Sequence, residues 1–151
     1  MATELEKQLL EDMKAAMKSG DKLRLETIRG LRAQLKNAEI DKGAPLTDDD
    51  VIQVLMRAAK KRKESIEQFK AVGREDRAAE EAQELRIIEG YLPKQMDEAE
   101  IAALVDKVIA EVGAASPKDM GKVMGKVMPQ VKGRADGKLV QQIVRQKLAS
   151  N

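Results

Sequence analysis

The sequence predicts an all-α protein: an N-terminal helical hairpin or bundle domain followed by a small three-helix C-terminal domain. Apolar residues recur at three- and four-residue intervals along most of the chain, which is the spacing of an amphipathic helix. Aromatic residues make up only 1% of the sequence, so a core must be built from Leu, Ile, Val, Met and Ala. That mixture favours helices over sheets. No segment shows the period-two alternation of a strand.

Four helices are predicted in the first part of the chain. Leu and Met recur every four positions in the first helix, which Gly20 ends. Thr47 is positioned to cap the third helix, and three aspartates follow it at the positive end of the helix dipole. The third helix is the longest, and with the second it predicts a helical hairpin. The four helices are expected at about residues 3–18, 22–41, 48–72 and 75–90.

A domain boundary is predicted at the Gly90-Tyr-Leu-Pro93 segment. We place an N-terminal helical domain at residues 1–92 and a C-terminal three-helix domain at 97–151. Asp97 and Glu100 form a capping-box pattern that starts the fifth helix, which Gly113 ends. Ser116-Pro117 starts the sixth helix and Asp136 the seventh.

The composition excludes several kinds of chemistry. The chain has no Cys and no His, which removes disulfides, thiol catalysis and thiolate or imidazole metal ligands. No Gly-rich phosphate loop or nucleophile elbow is present. We therefore expect no metal site, no cofactor and no catalysis by the isolated chain.

The N-terminal residues place acids among apolar residues at helical spacing, unlike a signal peptide. No stretch approaches the roughly 20 apolar residues of a membrane span. We expect a cytosolic protein with no membrane partner.

The charge is distributed unevenly along the chain. Residues 114–151 carry a formal charge of +6, while the rest of the chain carries −4. On a helical wheel of the sixth helix, Lys118, Lys122 and Lys126 lie opposite the apolar side, together with Gly121 and Gly125. Each glycine costs a helix roughly 0.5–1 kcal/mol relative to Ala, so this face suggests close approach by a sugar-phosphate chain. The alternative is that both glycines admit another helix of this protein.

A Gly-punctuated turn follows Pro129 and leads into the seventh helix. Its cations, with those of the sixth and seventh helices, predict a surface for a polyanion. The near absence of aromatic platforms argues against single-strand readout and leaves recognition of a folded RNA by shape. The candidate RNA-binding residues are Lys118, Gly121, Lys122, Gly125, Lys126, Lys132, Gly133, Arg134, Lys138 and Arg145.

A second basic run lies in the third helix and gives a secondary patch of Arg57, Lys60, Lys61 and Lys63. It could contact phosphates, or it could be a solvated face neutralised by acids of the fourth helix. Arg62 falls on the apolar seam of the third helix, where burial without a partner would be costly.

Two strings carry a family resemblance: AAKKRKESIEQFKAVGREDRAAEEAQELRIIEGYLPKQM and GKVMGKVMPQVKGRADGKLVQQIVRQKL. Together they resemble the YqeY family across the whole chain. The second is also similar to the tail of GatB, the B subunit of tRNA-dependent amidotransferase, which helps convert glutamate or aspartate on mischarged tRNA to the amide.

The resemblance implies an N-terminal helical domain and a three-helix tail, which in the amidotransferase engages tRNA. It also implies that the family is classed with the carbon–nitrogen ligases that use glutamine as amide donor. The expected function is a non-catalytic accessory module that binds tRNA or another folded RNA. The alternative is an adaptor that docks on an amidotransferase or aminoacyl-tRNA synthetase through the N-terminal hairpin.

Overall fold

The computed structural model describes residues 2–150, and all of the regular structure in that range is helical. The predicted all-α fold class is therefore confirmed. The chain divides into two compact units, the first ending at Pro93 and the second beginning at Lys94. The helices are α1 (Glu4–Ser19), α2 (Lys22–Lys42), α3 (Asp48–Ala71), α4 (Glu75–Glu89), α5 (Glu98–Val112), α6 (Met120–Val131) and α7 (Gly137–Ala149).

The helices of the first unit begin and end at the caps that the sequence predicts. Thr3 and Thr47 each accept a hydrogen bond from the main chain three residues on, and Gly20 ends α1 with a φ of 75°. The second and third helices are in contact, as predicted, but α3 packs most extensively along α4, and α1 along α2. The apolar seams of all four helices close one core, whose fully buried members include Leu9, Ile28, Val51, Leu55 and Ile88.

Tyr91, just after α4, links the end of the first unit to α1. Its hydroxyl donates a hydrogen bond of 2.5 Å to Asp12 Oδ2. Burial, together with this acceptor, raises the pKa of the Tyr91 hydroxyl well above its ordinary value, so the donor proton is retained. The side chain fixes the chain just ahead of the boundary between the units.

The second unit is a three-helix arrangement with its own core. Val105 of α5, Val127 of α6 and Val144 of α7 are all fully buried. The unit begins at Lys94, earlier than residue 97, because Met96 N donates a 2.8 Å hydrogen bond to the Arg134 carbonyl. Among the described residues, no helix is both long enough and apolar enough to span a bilayer.

The sixth helix differs from its predicted course at its start. A single 3₁₀ turn, Pro117–Asp119, precedes α6 instead of a direct α-helical start. At the other end α6 continues through Pro129 to Val131. Proline has no N–H, so the Gly125 carbonyl cannot receive the usual hydrogen bond from the residue four positions on.

Candidate nucleic-acid interface

The three lysines of the sixth-helix segment lie on its solvent side. Lys118, Lys122 and Lys126 are exposed. Val123 and Val127 lie on the opposite side of α6 and are fully buried. Lys122 and Lys126 are separated by four residues of α6, a rise of about 6 Å, and Lys118 lies in the 3₁₀ turn that precedes them. We call these three lysines, with Gly121 and Gly125, the lysine–glycine face.

Both glycines of this face are exposed, and neither has a positive φ. A Cβ atom built on either one would meet nothing within 4 Å in the described structure. No other helix of the second unit therefore packs on these glycines, which counts against the helix-packing alternative within that unit. The main chain of α6 is bare along this side.

The charges around the face are predominantly positive. Lys118, Lys122 and Lys126 form no ion pair with the described residues. Asp119 is the acid in this segment, and its carboxylate accepts hydrogen bonds from the main-chain N–H groups of Ala115 and Ser116 at 2.9 and 3.3 Å. These bonds, with a smaller contribution from Lys122, hold the pKa of Asp119 below its ordinary value. Asp119 is thus held by the main chain of this turn, and its carboxylate partly offsets the charge of Lys122.

Gly133 and Arg134 do not have the open position that the sequence predicts. Gly133 is buried with a φ of 77°, and its carbonyl accepts a 2.9 Å hydrogen bond from Gln95 Nε2. Arg134 is partly buried, and its Nε donates a 2.9 Å hydrogen bond to the Lys94 carbonyl. The expectation that Gly133 admits a close ligand is therefore wrong. Both residues instead hold the first residues of the second unit.

The remaining candidate cations lie outside α6. Lys132 is exposed in the turn, and Lys138 and Arg145 are exposed on α7. Lys147, also on α7, forms an ion pair of 3.0 Å with Asp106 of α5. The exposed cations of the second unit thus extend from α6 through the turn onto α7.

The secondary basic patch is divided between two environments. On the side facing α4, Arg62 Nε lies 3.1 Å from Glu84 and 3.5 Å from Glu81, and Lys63 lies 3.8 Å from Glu89. Burial raises the pKa of Glu84 and Arg62 opposes that shift. The neutralised-face interpretation therefore holds for Arg62 and Lys63.

The other side of the patch faces α2. Arg57 and Lys61 line a shallow groove with Gln34 and Asn37, and neither cation forms an ion pair with the described residues. Lys60 is partly buried between the two sides. The patch is thus not one continuous basic surface.

Sequence reasoning missed that the Gly125 carbonyl loses its usual donor. Pro129 was the available signal, because a proline beyond the first turn of a helix cannot donate to the carbonyl four residues before it. Within residues 2–150, no group of three or more acidic side chains is arranged to hold a metal ion.

Comparison with known proteins gives a family match over nearly the whole chain. The family model described as Yqey-like protein matches residues 6–148. The protein named "Altered inheritance of mitochondria protein 41, mitochondrial" of Lachancea thermotolerans is 38% identical over 112 residues, covering 72% of this chain and 60% of the relative. The protein of the same name in Kluyveromyces lactis is 36% identical over 113 residues, with the same coverage of each chain.

These relatives correct the predicted location, and they match this chain over only part of their own length. Their names place them in mitochondria, which overturns the cytosolic location predicted from the sequence. The matched region spans about 60% of the length of the two relatives. The names say nothing of RNA, so the candidate interface depends on its geometry.

Proposed function

The chain belongs to the YqeY-like protein family, and from that premise we propose that its C-terminal unit binds folded RNA, tRNA foremost, through the lysine–glycine face of α6. The single observation that carries the proposal is a row of three exposed lysines without ion pairs, beside two glycines with open space around them. We propose a non-catalytic, accessory role akin to that of the amidotransferase B-subunit tail.

The lysine row suits a phosphate chain on electrostatic grounds. Each lysine that meets a phosphate releases condensed counterions, and this release supplies much of the affinity of proteins for nucleic acids. The absence of competing ion pairs means that no internal contact has to be broken first. Phosphate contacts of this kind position a nucleic acid without reading its sequence.

The two glycines would allow a sugar-phosphate chain to approach the main chain of α6 closely. An exposed glycine inside a helix costs roughly 0.5–1 kcal/mol relative to Ala, and no packing in the described chain compensates for that cost here. A side chain at Gly121 or Gly125 would separate the helix from a bound strand. The cost is explained if a sugar-phosphate chain rests on the main chain at these two positions.

The freed carbonyl of Gly125 favours RNA over DNA. It belongs to an exposed residue and lacks the hydrogen bond that the residue four positions on usually donates, because Pro129 has no N–H. The 2′-hydroxyl of RNA can donate in its place, and it is the group by which proteins distinguish RNA from DNA. A folded RNA presents these hydroxyls along the shallow groove of its helices.

The direct test is tRNA binding by the full chain and by two charge-reversed variants. Lys122→Glu with Lys126→Glu changes the proposed face. Lys14→Glu with Lys18→Glu is the matched control, because it reverses two exposed lysines at the same spacing on α1. We expect the first variant to bind tRNA at least about tenfold more weakly than the unmodified chain, and the control to lose much less.

Two results would contradict the proposal. The first is equal weakening by both variants, which would indicate a response to net charge alone. The second is the absence of tRNA binding by the unmodified chain at low salt. Circular dichroism of each variant establishes that a loss of binding is not a loss of helix.

A further inference from the structure

The first unit contains a hollow of about 520 Å³ between α1 and α2. Leu10 and Ala33 form part of its apolar lining, together with the inner residue Leu35. Its volume falls in the range of about 300–1,000 Å³ that is usual for ligand pockets. The hollow is therefore large enough to receive apolar side chains from another molecule.

Four cations lie at the rim of the hollow, and two of them are paired with acids. Lys7 and Arg29 lie there, each paired with an acid three residues away at 3.3 and 3.1 Å. Such exposed pairs are worth little and are readily exchanged. Arg32 and Lys36, four residues apart on α2, form no ion pair with the described residues. Like charges at this spacing repel each other, so the rim favours an incoming anion.

Two acids also line the hollow. Glu6 is already engaged, since its Oε2 accepts a 2.7 Å hydrogen bond from Thr3 N in the α1 capping box. Glu39 lies one turn beyond Lys36 at the far end of the lining. Because Lys7 and Arg29 are paired with Glu4 and Glu26, the cations of the rim that are available to an incoming anion are Arg32 and Lys36.

Arg32 is the cation of the hollow that most clearly lacks a carboxylate among the described residues. It is partly buried, and Arg32 Nη1 donates to the Met13 sulfur at 3.2 Å, without contacting a carboxylate in the described chain. Arg62, the comparable arginine of α3, has two carboxylates within 3.5 Å. A partly buried cation without a counter-ion is unfavourable, so a carboxylate supplied from outside would relieve it.

We propose that this hollow is the docking site for an acidic amphipathic helix of a partner protein. Leucine-like side chains of that helix fill the apolar lining, and its carboxylates pair with Arg32 and Lys36. A helix laid into a groove between two helices is a common mode of peptide recognition, with apolar anchors at three- and four-residue spacing. Arg32 and Lys36, which form no ion pair with the described residues, favour an acidic helix over a basic one.

The test uses the full chain and two synthetic helical peptides of about 16 residues. Both carry leucines at three- and four-residue spacing, and they differ only in having Glu or Gln at the flanking positions. We expect fluorescence anisotropy to show at least about tenfold tighter binding of the Glu peptide, since hydrogen bonds between charged groups are the stronger ones. Arg32→Met should abolish this preference, and Lys36→Gln should reduce it.

The matched control is Arg86→Met, which removes an exposed arginine of α4 and should leave the preference unchanged. Arg32→Met should melt no lower than the unmodified chain, because it removes an uncompensated charge. Equal binding of the two peptides, or an undiminished preference in Arg32→Met, overturns the proposal. Displacement of the peptide by tRNA, or burial of the hollow in a dimer of this chain, overturns it in favour of another occupant.

Discussion

The Asp50 carboxylate, at the start of α3, makes two kinds of contact at once. It pairs with Lys42 of α2 and accepts a hydrogen bond from the Thr47 main chain at 2.9 Å. The hydrogen bond from Lys42, followed by that from Thr47, lowers the pKa of Asp50 from 3.8 to about 2. The second contact lies within the capping turn of α3, whereas the first joins two helices across a loop.

This shift predicts a pH-dependent contribution to stability. The folded-state pKa is lower than the ordinary value, so the contribution is present above pH 3.8 and is lost as the pH falls towards 2. We expect Asp50→Asn to be less stable than the unmodified chain at neutral pH. The difference in urea midpoint between the two proteins should shrink as the pH falls from about 4 to 2.

Asp48→Asn is the control for Asp50, since it removes the same charge from the same helical turn without removing the capping bond. A constant difference across this pH range for Asp50→Asn would contradict the assignment of Asp50 as the titrating group.

The sequence alone does not distinguish glycines that differ in backbone conformation and burial. Gly121, Gly125 and Gly133 all lie in a basic, glycine-rich segment, and all three are predicted to contact RNA. The structure separates them, because Gly133 has a positive φ and is buried, while the other two are helical and exposed. A glycine that a turn requires and a glycine on a bare helix face look alike until the backbone is known.

Helix α6 has one buried apolar side and one exposed side whose glycines lower the stability of the helix. Its inward residues follow the predicted stripe, with Val123, Val127 and Val131 fully buried. Its outer side carries two glycines that no internal contact explains. Stability and RNA binding should therefore respond in opposite directions to a change at these positions.

We expect Gly121→Ala and Gly125→Ala each to stabilise the chain by roughly 0.5–1 kcal/mol, because both positions are helical and open. The same changes should weaken tRNA binding by placing a methyl group between helix and strand. Urea unfolding and filter binding measure the two effects.

Gly30→Ala in α2 is the matched control, since that glycine is also helical, exposed and free of neighbours within 4 Å. It should give a similar gain in stability and leave tRNA binding unchanged. Unchanged tRNA binding in all three variants would mean that the α6 glycines do not lie under the nucleic acid.

At the scale of the whole molecule, charge is divided unevenly along a nearly neutral chain. The formal net charge is +2, yet residues 114–151 carry +6. A polyanion would therefore meet the positive tail despite the small net charge. The salt dependence of tRNA binding should therefore be set by a few local contacts.

We expect the logarithm of tRNA affinity to fall linearly with the logarithm of salt concentration. Three phosphate contacts correspond to a slope of about −2 to −3, and contacts from α7 would make it steeper. Lys122→Glu with Lys126→Glu should reduce the magnitude of the slope by about 1.5–2. A slope near zero would exclude phosphate contacts, and an unchanged slope in the variant would place them elsewhere.

The helices of this protein follow from its sequence alone. Helix class, caps and inward faces are local properties, set by residues within a turn or two of one another, and they predicted the limits of α1 to α5 and the start of α7 closely. The outward lysine row of α6 followed from the same periodicity. Pro129 was the local signal whose effect on α6 was not anticipated.

Tertiary structure decided which charges remain available. Arg62 meets Glu84, and Arg134 meets the Lys94 carbonyl, across separations in sequence that no periodic pattern encodes. It also created the hollow beside Arg32, which exists only because α1 and α2 lie side by side. Periodicity assigns a side chain to a face, but the partner of a charge depends on which other element packs there.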